Sequence, residues 1–196
     1  MNMKSINQDK LQQALLLLHE QMLLHDAPHT ELVVCGGSAL IAANLVPRTT
    51  RDVDIVALMR DGSLVDSEPL PSYLLTAAEQ VGEMLNLPED WLNNGPASQF
   101  RMGLPEGFSE RLHRVDIGEK LSVHFISRTD RIYFKLFASV DRGGYHITDL
   151  TALQPTAEEI AAAARWCITQ DVSDGFRFLL DELLKQLGYA HVCTLL

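Results

Sequence analysis

Two stretches decide how this chain is read: ELVVCGGSAL at 31–40 and RTTRDVDIVAL at 48–58. ELVVC is a short apolar, β-branched run stopped by Gly36-Gly37, the pattern of a buried strand. Ser38 to Leu45 then reads as a helix closed by Pro47. RDVDIVAL at 51–58 alternates charge with β-branched residues before turning wholly apolar, so it reads as a strand entering a core. A strand, two glycines, a helix and a charged strand therefore succeed one another within 28 residues.

Outward from this centre, residues 7–26 contain no Gly or Pro and are rich in Leu, Gln and Ala, which predicts a helix stopped at Pro28. The cluster Leu15 to Leu18 suggests a helix that buries more than one stripe. Residues 59–71 are turn-rich and acidic and read as a loop. Tyr73 to Leu87 reads as a helix, and PEDWLNNGPASQ as a turn-rich stretch around Trp91. RLHRVDI (111–117) and LSVHFI (121–126) predict a hairpin. Helices follow at 128–140, 147–153, 156–169 (opened by a Thr156/Glu159 capping box) and 173–187. The expected class is α/β (α+β): a small mixed sheet flanked by helices, with a helical C-terminal extension. The expected domains are 1–153 and 154–196.

The 196 residues carry a net charge of −10, which argues against a general nucleic-acid coat protein. The charge is uneven, −7 over residues 51–100 and +1 over 101–150, so one locally basic stretch remains for a phosphate-bearing ligand. Three cysteines at no recognisable spacing read as reduced thiols. Neither a signal-peptide pattern nor an apolar run long enough for a membrane span occurs, so the chain reads as soluble and cytoplasmic.

Chemistry concentrates in the two opening stretches. Glycines between a strand and a helix let a ligand approach the backbone, and free N–H groups there with the Ser38 hydroxyl could hold phosphate oxygens; taken alone, Gly-Gly after a strand is more often just a tight turn. Asp52 and Asp54, two apart on a strand, project from one face. Carboxylates that close repel unless a divalent cation lies between them or water screens them.

Strand, Gly-Gly-Ser, helix and a strand bearing D-x-D together resemble the nucleotidyltransferase fold of the DNA polymerase β type. More closely, GGSAL, RTTRDVDI, DWLN at 90–93, GFSERL at 107–112 and KLFASVDRGGYHITDL at 135–150 resemble minimal bacterial nucleotidyltransferase-like proteins related to the AbiEii toxins. The resemblance spans about residues 31–153. It implies transfer of a nucleoside monophosphate from an NTP to an acceptor hydroxyl with Mg²⁺ or Mn²⁺. It implies metal ligands at Asp52 and Asp54 and nucleotide contacts at Gly36, Gly37, Ser38, Arg48, Lys135 and Arg142. Lys135 would neutralise a phosphate, and Asp149 would orient it or act as a base. A tRNA, protein or small-molecule acceptor and a cognate antitoxin or homodimer partner come from the same likeness.

Relatives of this type take a third carboxylate from a neighbouring strand. LSVHFI, the strand expected to supply it, has none, and Asp116 on the preceding run could substitute. Without a third carboxylate, the alternative is a nucleotidyltransferase-fold binding protein with little or no turnover, such as a toxin–antitoxin or regulatory component. A dinucleotide site is a poor fit, since the third glycine of G-x-G-x-x-G is missing. The histidines form no zinc motif, and His124 on an apolar run reads as a core residue.

Overall fold

A computed structural model describes residues 5–36 and 50–196. The expected helix at 38–45 lies outside them, as do Gly37, Ser38 and Arg48. The chain forms two compact units, Met1–Ile126 and Ser127–Leu196.

In the first unit, α1 (Gln8–Leu24) starts where the Asn7 side chain accepts from the Lys10 N–H. Its buried Leu11, Ala14, Leu15, Leu18 and Met22 recur at helical spacing as a single stripe. Leu16 lies outside that stripe at 49% exposure, which corrects the expectation that the leucine cluster buries more than one. The strands β1 (Thr30–Cys35), β2 (Val53–Arg60), β3 (Ser63–Val65), β4 (Leu92–Asn93), β5 (His113–Gly118) and β6 (Leu121–Phe125) form one mixed sheet. Its order is β3-β2-β1-β6-β5, with β4 also on β2. β1 pairs antiparallel with β2 and parallel with β6, so it is central, and Leu32, Val33, Val34 and Cys35 are all buried.

The predicted hairpin is present as β5 and β6. Two elements differ from expectation. The acidic loop at 59–71 contains the end of β2 and all of β3, joined through Asp61 and Gly62 with positive φ, as a tight hairpin requires. The turn-rich stretch after α2 (Ser72–Leu85) contains β4 and the short α3 (Ala97–Met102). Trp91, 1% exposed, pins β4 in place. Its Nε1 donates to the Ala78 carbonyl at 2.8 Å, and the α2 residue Gly82 leaves room for its ring.

The second unit is helical: α4 (Arg128–Arg142), α5 (Tyr145–Ala152), α6 (Ala157–Gln170) and α7 (Asp174–Gln186). Gly143 and Gly144, both with positive φ, turn the chain between α4 and α5. Trp166 of α6 packs among Tyr133, Phe134 and Phe137 of α4, and Phe137 meets Phe176 of α7. The predicted capping box is present at Thr156 and Glu159. Arg128 hydrogen-bonds Glu159, and that contact first of all holds the Glu159 carboxyl below the usual carboxylate range. α6 and α7 thus pack on α4. Cys35, Cys167 and Cys193 are free thiols, and burial pushes the Cys167 thiol up. No helix among the described residues is long and apolar enough to cross a membrane.

Candidate functional site

The end of β1, the start of β2 and β4 meet in one row, Cys35 opposite Asp54 and Asp54 opposite Asn93. Gly36 follows directly, with φ of +72°. A Cβ on Gly36 would stand 1.9 Å from Asp54 Oδ2 and 2.9 Å from its Cγ. Glycine is therefore required twice here, by the left-handed backbone and by a carboxylate resting on its Cα. Gly36→Ala should displace Asp54 and lower the melting temperature by several degrees, about 2 kcal/mol or more combining backbone strain and clash. Thermal denaturation checks it, and an unchanged midpoint would mean the carboxylate is free to move.

Asp54 is half-buried, and its Oδ1 accepts from Asn93 Nδ2 at 3.4 Å. The Asn93 amide is oriented by its other end, where Oδ1 accepts from the Gly95 N–H at 2.9 Å. Asp52, also half-buried, lies one residue before β2, and the buried Val53 between them keeps both carboxylates on the opposite face. Asp52 Oδ1 accepts from Thr50 Oγ1 at 3.1 Å. Thr50 is itself tied by two backbone hydrogen bonds to Ile6, at 2.7 and 2.9 Å. Each aspartate thus has a neighbouring donor that aims it.

Asp116 is not brought to this place. It lies on β5 opposite Ser122, which lies opposite Glu31, four residues along β1 from Cys35. Two strands, β6 and β1, separate β5 from β2. That offset is ~13 Å along the strands and ~14 Å across them. Asp116 instead accepts from Ser122 Oγ at 2.7 Å and Arg114 Nε at 2.8 Å, and these bonds hold its carboxyl below the usual range. LSVHFI, expected to neighbour the D-x-D strand, pairs with β1 and β5 instead. The strand beside Asp54 is β4, and it offers an amide. Among the described residues no group of three or more His, Cys, Asp or Glu side chains could hold a metal ion. Asn93 was missed because an Asn in a turn-rich stretch is ordinary; only the DWLN likeness pointed to it.

In the second unit the α4–α5 turn brings Lys135 and Asp149 together. Lys135 Nζ lies 2.7 Å from Asp149 Oδ2, with side chains 7% and 2% exposed. The ammonium also lies 5.8 Å from the centre of the Tyr145 ring. Arg142, at the last turn of α4, is exposed and pairs with Asp141 at 3.3 Å. His124 is a core residue as expected, its Nε2 2.6 Å from Glu31 Oε2.

The family model described as "Nucleotidyltransferase of unknown function (DUF6036)" matches residues 13–154, well over half of the chain. The chain belongs to this nucleotidyltransferase family. The match includes Gly36, Asp52, Asp54, Asn93, Lys135, Arg142 and Asp149. No curated protein and no solved structure matches the chain.

Proposed function

We propose that this nucleotidyltransferase moves a nucleoside monophosphate from an NTP to an acceptor hydroxyl with the help of Mg²⁺ or Mn²⁺. The observation that carries the reading is the Asp54 carboxylate seated on the Gly36 Cα with Asp52 beside it in sequence. Two half-buried carboxylates form a hard, all-oxygen donor set, which fits these cations and not a soft metal. Asp52 and Asp54 would hold the ion, which when bound would stabilise charge developing on the phosphate oxygens. Thr50 and Asn93 hold the two carboxylates in orientation, so little side-chain freedom is lost on binding. The bare Gly36 Cα leaves the room that the Asp54 carboxylate occupies. Within the second unit Lys135 is paired with Asp149, so its ammonium is fixed in place. The likeness to AbiEii-related proteins favours a tRNA end or a protein side chain as acceptor, and a cognate antitoxin or a second copy as partner.

The amide of Asn93 beside Asp54, where a third carboxylate would strengthen metal binding, favours a second reading, nucleotide binding without rapid turnover. One experiment separates them. The protein is incubated with each NTP labelled at the α-phosphate, Mg²⁺, and total tRNA or cell lysate, while calorimetry follows NTP binding. Label transfer that stops with EDTA supports the enzyme. Metal-dependent binding without transfer selects the second reading, and no metal-dependent NTP binding sinks both.

A further inference from the structure

The helix α4 carries three cations on one face. Arg131, Lys135 and Arg142 are separated by four and seven residues, so they fall within a narrow stripe that runs ~16 Å along the axis. The acidic residues of the helix, Asp130 and Asp141, lie to the side of that stripe. Lys135 has Asp149 as its partner, and Arg142 has Asp141. Arg131 differs. It is only 7% exposed, yet no carboxylate lies within ion-pair distance of it among the described residues, and its Nε has no hydrogen-bond partner there. Asp130 attracts it through space, but the Asp130 Oδ2 accepts from Ser127 Oγ at 2.5 Å. Burial accordingly pushes the Arg131 guanidinium down to about 10.

A buried guanidinium nitrogen without an acceptor is costly, and native structures rarely keep one unless a ligand or an ordered water completes it. Arg131 also lies in the first turn of a fifteen-residue helix, where the positive end of the macrodipole adds to the cost of a cation and favours an anion. Its planar fork suits the paired oxygens of a phosphate, for which Lys offers only a point charge. We propose that Arg131 is a ligand-binding residue that, with Lys135, holds a polyphosphate anion along this face of α4. The site needs no divalent cation and does not depend on Asp52 or Asp54.

The test uses the full chain in EDTA at constant ionic strength, titrated in separate arms with inorganic phosphate, pyrophosphate and ATP. Calorimetry and thermal denaturation are read for wild type, Arg131→Met and Arg131→Gln. Wild type should bind pyrophosphate and gain about 5 °C at hundred-fold excess over Kd. Both variants should lose affinity about ten-fold or more. Without ligand, Arg131→Met should melt about 2–4 °C higher than wild type, because it removes a charge whose burial outweighs the attraction of Asp130 and keeps the volume. ATP binding more tightly than pyrophosphate would assign the site to the polyphosphate of a nucleotide, and equal affinity to a free polyphosphate. Absence of pyrophosphate binding by wild type, undiminished affinity in either variant, or a lower ligand-free melting temperature in Arg131→Met would each overturn the proposal. Lys135 is shared with the nucleotidyl-transfer reading, but that reading is decided by Mg²⁺-dependent label transfer, which can survive when metal-free pyrophosphate binding fails.

Discussion

An Asp54→Ala protein is expected to lose nucleotidyl transfer by roughly a thousand-fold while its melting temperature stays within about 2 °C of wild type. The loss is large because removing a carboxylate from a set of two leaves Asp52 alone to hold a cation that prefers several oxygen ligands. The change in stability is small because Asp54 lies at the half-buried end of β2 and its removal also relieves repulsion from Asp52. Label transfer from α-labelled NTP and a thermal scan check both halves. Activity kept within ten-fold of wild type would take Asp54 out of the reaction. A collapse of the melting temperature would recast it as a structural residue.

Lys135→Met should have the opposite profile, a large loss of stability. It leaves the Asp149 carboxylate, 2% exposed, without its cation, and breaking a buried pair in this way costs about 3–5 kcal/mol. The helical signal of the second unit should melt roughly 10 °C lower or more. The double variant Lys135→Met with Asp149→Leu should recover most of that loss, because two apolar groups leave no buried charge behind. Circular dichroism at 222 nm reads both proteins. A single variant that melts like wild type would show that water already reaches Asp149. The contrast with Arg131, one turn earlier on the same face, is informative: its removal should raise stability, since its cost of burial outweighs the attraction of Asp130 and no carboxylate pairs with it among the described residues.

Much of the architecture was legible in the residues. The β1 run, the D-x-D strand, the β5–β6 hairpin and the capped helices all carry their signals within ten or so neighbouring positions. β3 and β4 were not legible. β4 is two residues long, too short for any alternation to register, and it exists because Trp91 is anchored under α2 beside the open edge of β2. α1 looked apolar over more than one stripe, but a helix lying on a sheet buries a single face, and Leu16 falls outside it.

The site divides in the same way. Sequence by itself determined the chemical groups: two aspartates on one strand face, a glycine before them, and a lysine and an aspartate fourteen residues apart. Spacing along one strand and a Gly-Gly turn between two helices are local properties, so they survive whatever the rest of the chain does. Tertiary structure decided which groups stand together across strands. Strand order inserts β1 and β6 between Asp116 and Asp54, leaving Asp116 to Arg114 and Ser122, and it puts Asn93 on Asp54 instead. Strand order is set by pairing and burial summed over the whole sheet. That is a sum over distant contacts, which no short stretch of sequence records.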